Sequence, residues 1–114
     1  MRYVDRGGEL EAYDFTSFTK DGAAHNLDLS SIIPKNAKKV DIWVAVAQVV
    51  PGGAFWFDKI SVDMTYRHYG NRTHVANYGL EGNYSIPVVN QAISYYFDAQ
   101  SYTTTRLTVL GWWI

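Results

Sequence analysis

From Val40 to Ala47 the chain alternates, with Val40, Ile42, Val44 and Val46 on even positions and Asp41, Trp43, Ala45 and Ala47 on odd ones. A period of two is that of an extended strand with one face in a core, because successive strand side chains point to opposite sides. The even face is entirely β-branched, which suits a buried pleated surface. The odd face sets one tryptophan beside two alanines. Such a surface accepts something flat: a sugar ring, a loop, or another subunit.

The rest of the chain gives short strands punctuated by turns. EAYDFTSFT sets Tyr13 and Phe15 on one side, a first strand ending at Lys20-Asp21-Gly22. His25, Leu27 and Leu29 give a second. Ser30-Ser31-Ile32-Ile33 then reads as a single helical turn stopped before Pro34. The central strand stops at Val50, and Pro51-Gly52-Gly53 predicts a tight hairpin into Phe55-Trp56-Phe57, with a bend near Asp58 before Ile60, Val62 and Met64. Between Tyr66 and Tyr84, Gly70, Gly79 and Gly82 mark turns around a short strand at residues 74–78. Pro87 removes a backbone donor, so residues 85–89 belong at a sheet edge or in a turn. Residues 93–98 and 103–112 alternate again. The expected fold is all-β: a single antiparallel β-sandwich, jelly-roll-like, of about eight strands, spanning 11–114 behind an irregular lead-in at 1–10.

A chain of 114 residues suits one domain. Net charge is −1 with basic residues scattered, which argues against nucleic acid and anionic membranes as partners. No apolar run reaches the roughly 20 residues that cross a bilayer, and the first residues lack the apolar stretch of a secretory signal. Having no cysteine, the chain has neither disulfides nor thiolate metal sites. Aromatic residues make up 16% of the chain, more than one small core readily absorbs, so several rings belong at a surface, an interface or a binding site.

Motifs for chemistry are lacking. His25, His68 and His74 do not have metal-ligand spacing, no G-x-S-x-G elbow is present, and Asp58 with Asp63 has no supporting motif. The glycines mark turns and do not open a helix after a strand as a phosphate cradle does. The expectation is a protein that is not an enzyme and uses no cofactor and no metal. Asn71-Arg72-Thr73 and Asn83-Tyr84-Ser85 match a glycosylation pattern that arises often by chance.

Two motifs, Leu27-Asp28-Leu29-Ser30-Ser31-Ile32-Ile33-Pro34 with Ala37-Lys38-Lys39-Val40, and Leu107-Thr108-Val109-Leu110-Gly111-Trp112, resemble the small β-sandwich, jelly-roll-like domains of tailed-phage virion proteins. The resemblance implies a virion location and a structural role as a fibre, tail or capsid-decoration module. It also implies self-assembly, a trimer being the expected number, together with contacts to other virion proteins and to cell-surface glycan. It carries no site residue with it. From the residues themselves, Trp43 with Ala45 and Ala47 is expected at an oligomer interface. Trp112-Trp113 at the terminus is expected to be pinned against a neighbouring subunit, one ring inward and one outward. Tyr66, Tyr69, Tyr78 and Tyr84, in or beside the polar loops, are the candidate ligand-binding residues of the alternative reading, a lectin-like carbohydrate-binding module.

Overall fold

The computed structural model describes residues 1–7, 13–48, 54–60, 69–72, 80–99 and 102–114, and the side chains among them except at 48, 69–72 and 80. Eight strands follow one another in these segments: β1 (Tyr3–Asp5), β2 (Ala24–Asp28), β3 (Lys39–Gln48), β4 (Ala54–Asp58), β5 (Tyr69–Arg72), β6 (Leu80–Pro87), β7 (Ala92–Phe97) and β8 (Tyr102–Trp113). They form two four-stranded sheets, ordered β1-β8-β3-β6 and β2-β7-β4-β5, with every pairing antiparallel.

The pairs β1–β8, β2–β7, β3–β6 and β4–β5 are nested and fall alternately in the two sheets. The chain is thus one long antiparallel hairpin wrapped across a sandwich, which is the jelly-roll arrangement. The even face of β3 does what its period implies: Val40, Ile42 and Val46 are fully buried. They meet Ile86 of β6 and Leu107 and Val109 of β8 within the first sheet, and Phe55, Phe57, Ile93, Tyr95 and Phe97 of the second. Each such side chain contributes about 1.5–3 kcal/mol through removal from water. Phe97 is the hub of the aromatic part, within ring contact of Phe18, Phe55, Phe57, Tyr95 and Tyr102.

Several local expectations hold. Leu29 C=O accepts the N–H groups of Ile32 and Ile33, the single turn before Pro34. Pro87 ends β6, an edge strand, where its missing donor breaks no ladder. Others need correction. The lead-in is not irregular throughout, since Tyr3–Asp5 pairs with Trp113–Gly111. The segment at 13–16 is not a full strand: only Phe15 bridges to Leu107. Nor do Tyr13 and Phe15 share a face, because the N–H groups of Asp14 and Phe15 both donate to the Leu107 carbonyl, two residues opposing one as in a β-bulge. The expected β3–β4 hairpin is not a paired ladder. β4 lies in the opposite sheet between β7 and β5, so the chain crosses the sandwich after β3. Residues 51–53, 62, 64 and 74–78, on which the turn and two strand expectations fell, lie outside the described residues.

Candidate functional site

The first sheet has a sealed inner face and a chemically mixed outer one. Paired residues of neighbouring strands present their side chains to the same side, so the outer face reads as rows running across β1, β8, β3 and β6. One row is Tyr3, Trp113 and Lys39; the next holds Asp5, Gly111, Asp41 and Ser85. Beyond a bulge in β8 come Thr108, Trp43 and Asn83, then Arg106, Ala45 and Glu81. Rows two residues apart along β3 are separated by about 7 Å.

At one end, the Tyr3 and Trp113 rings meet at 4.7 Å between centroids, and Lys39 Nζ lies 5.5 Å from the Trp113 ring. The Tyr3 ring lies across Gly111, where a Cβ would collide with its hydroxyl. Partial burial, then the nearby carboxylates of Asp41 and Asp5, push the Tyr3 hydroxyl above its ordinary range. Asp41 is itself raised by burial, an effect partly offset by its hydrogen bond with Ser85.

At the other end, Tyr13 comes over the sheet from the bulged segment and stacks on Trp43, with centroids 5.7 Å apart and planes 17° from parallel. Arg106 lies over the Tyr13 ring, its guanidinium carbon 4.7 Å from the centroid, and its Nη1 donates to the Tyr13 hydroxyl at 3.3 Å. This places a cation on an aromatic face, the geometry in which the ring quadrupole attracts it. Tyr3 is 40% and Tyr13 43% exposed. Apart from Met1 they are the exposed large hydrophobic side chains among the described residues, and both lie on this one face.

The residues singled out from sequence are distributed differently from the expectation. Trp43 does face away from the core strand pattern, and what lies flat against it is a loop residue of its own chain, Tyr13. Ala45 and Ala47 are each only 5% exposed within a single chain. Trp112 turns inward against the core, opposite Val40, while Trp113 turns outward to Tyr3 and Lys39. That one-in, one-out split follows from the strand. The terminus is pinned by the chain itself: Arg2 and Ile114 exchange both backbone hydrogen bonds at 2.8 Å, and Lys38 N–H donates to Trp113 C=O at 2.7 Å.

Of the four tyrosines, Tyr84 pairs with Ile42 on the inner side, packs against the core and has its hydroxyl pushed up by burial. Its ring lies against Gly82, where a Cβ would sit 3.0 Å from the hydroxyl. Tyr69 begins β5, and Tyr66 and Tyr78 lie outside the described residues. Sequence reasoning missed Tyr3, Tyr13 and Arg106. The alternation of β8 already put Arg106 on the face opposite Leu107 and Val109, but nothing local revealed the ring above it.

Chemically, the face offers aromatic surface, two cations, the exposed carboxylates of Asp5 and Glu81 beside the half-buried one of Asp41, and the exposed Asn83 amide, which suits binding by stacking and hydrogen bonding. Among the described residues, no group of three or more His, Asp or Glu side chains is placed to share a metal ion, and His68 and His74 lie outside them. No protein-family model, no curated protein and no solved structure matches the chain.

Proposed function

We propose that the chain is a non-enzymatic structural module of a virion, a decoration, fibre or tail attachment domain, which works by surface contact through the outer face of its first sheet. The observation that carries the reading is the collection of Tyr3, Tyr13, Trp43 and Trp113 on that face, with Tyr3 and Tyr13 each about two-fifths exposed. A small chain that keeps large rings exposed on one side of a rigid sheet has a surface made for contact. The jelly roll supports the class by analogy, since capsid and lectin domains share it. The two sequence motifs point the same way.

Self-association into a trimer is a separate part of the reading. The residues named for it are largely occupied within one chain, Ala45 and Ala47 by burial and Trp43 by Tyr13. Attachment therefore stands first. Light scattering tests the oligomer: a mass of three chains supports it, whereas a mass of one removes it and leaves attachment intact. Attachment itself is tested by immunogold labelling of intact particles with antibody raised against the chain. Gold on capsid, fibre or tail is the expected outcome, and particles free of gold would overturn the assignment.

A further inference from the structure

The Arg106 guanidinium is exposed, and its neighbours on the face are unusual for a surface arginine. It has no carboxylate within ion-pair distance among the described residues, where the ion pairs are Arg6 with Asp14 and His25 with Asp21. Its guanidinium carbon lies over the Tyr13 ring, and of its five N–H donors one goes to the Tyr13 hydroxyl. With one donor engaged and no carboxylate beside it among the described residues, the guanidinium keeps donors that can take two oxygens of one carboxylate side by side.

Beside that cation, the Tyr13–Trp43 pair offers a flat apolar step, and Asn83 stands exposed across from Trp43 with an amide that both donates and accepts. A pyranose presents a flat C–H face and equatorial hydroxyls, and an acidic one adds a carboxylate. We propose that the outer face of the first sheet binds an acidic glycan, with Arg106 gripping a sugar carboxylate, the exposed part of the Tyr13 ring, held in place by Trp43, carrying the sugar's C–H face, and Asn83 bonding its hydroxyls.

Charge fixes the orientation. Glu81 lies in the Arg106 row but two strands over, about 10 Å away across Ala45. Asp41 lies two rows along β3 from Arg106, and Asp5 stands in that same row on β1. Of the three carboxylates that the described residues place on the face, Asp5, Asp41 and Glu81, only Glu81 shares the Arg106 row, and it stands on the β6 side, so the acid group of the sugar faces β8 and the hydroxyls face β6. Lys39 beside Trp113, in the row beyond Asp41, supplies a second cation for the next part of an extended chain. The inference rests on the outer face being the working face of the attachment module.

The test is affinity electrophoresis of the intact protein through gels containing polygalacturonate, polysialic acid or neutral dextran. Retardation by at least one acidic polymer and none by dextran is expected. Arg106→Gln should weaken retention at least tenfold, Arg106→Lys should keep part of it, and Tyr13→Ala should weaken it to a similar degree although it removes no charge. Each variant is to melt within a few degrees of the parent chain. Equal retention by dextran, undiminished binding by Arg106→Gln, or binding by Tyr13→Ala at parental strength would overturn the site. So would a change of mass in light scattering on Arg106→Gln, which would make the face a contact between copies. Failure on every polymer with gold still on the particles would sink this inference alone.

Discussion

Asp14 Oδ2 accepts the backbone N–H of Val109 at 2.8 Å, a side chain doing the work of a missing strand. β1 covers β8 from Gly111 onward and Phe15 covers it at Leu107, which leaves Val109 between the two. Arg6 completes the patch, bonding Asp14 Oδ2 at 2.5 Å and donating to Val109 C=O at 3.1 Å. Val109 is fully buried, so its backbone groups have no route to water.

Asp14→Ala should therefore destabilise the fold by about 1–3 kcal/mol, because it orphans a buried N–H and takes the carboxylate partner from Arg6. Asp14→Asn keeps an acceptor and should lose less. Urea denaturation of the two variants checks the order; equal losses would mean that the Arg6 charge, and not the Val109 bond, dominates.

Gly111 fixes how closely β1 can approach. A Cβ there would collide with the Tyr3 hydroxyl and lie 2.6 Å from the Val4 carbonyl oxygen. The tyrosine can swing away, but the backbone oxygen cannot move without the strand. Gly111→Ala is expected to lower stability by about 1–3 kcal/mol through overpacking. Adding Tyr3→Ala should restore little of it, and full recovery in the double variant would show that the ring alone sets the spacing.

Phe97→Ala removes the ring that five others touch. The expected loss is about 3–5 kcal/mol, a large share of the roughly 5–15 kcal/mol that holds a domain folded. Thermal melts followed by near-ultraviolet dichroism should show a much lower midpoint or no cooperative transition.

Asp41 sets a pH dependence of definite sign. Its unfolded carboxyl titrates near 3.8, and burial raises it in the folded state. Just above pH 3.8 the folded form holds more protons than the unfolded one, so this group's contribution falls as pH rises through the folded value and stays low above it. Asp41→Asn, which still accepts from Ser85, should melt higher than the parent at pH 7, and the gap should close toward pH 4. A gap independent of pH would assign the effect to packing.

How much of this was legible depends on the range of the forces involved. Val40 to Val46 announced a buried face through a period that only neighbours along the strand determine, and Leu107 with Val109 did the same. Pro87 located an edge by what it lacks. β1 was hidden, because Tyr3-Val4-Asp5 is too short to show a period and becomes a strand only through a partner more than a hundred residues away. The Pro51-Gly52-Gly53 turn signal says that the chain reverses, not into which sheet it returns. The outer face was half visible: Trp43 stood out as a lone ring, but Tyr13 reaches it through two N–H groups sharing one carbonyl, an irregularity that sequence alternation cannot express.

The hydrogen bonds between Arg2 and Ile114 also bear on how the sandwich responds to force. Both ends of the chain leave from one corner of the first sheet, on adjacent antiparallel strands. Tension applied between them pulls across the β1–β8 ladder and loads its bonds one pair after another, as a zip opens, instead of all together in shear. Tension that enters through one end and leaves through the outer face is spread over the central strands β8 and β3, so the direction of pulling, more than its magnitude, selects between a weak seam and a strong sheet.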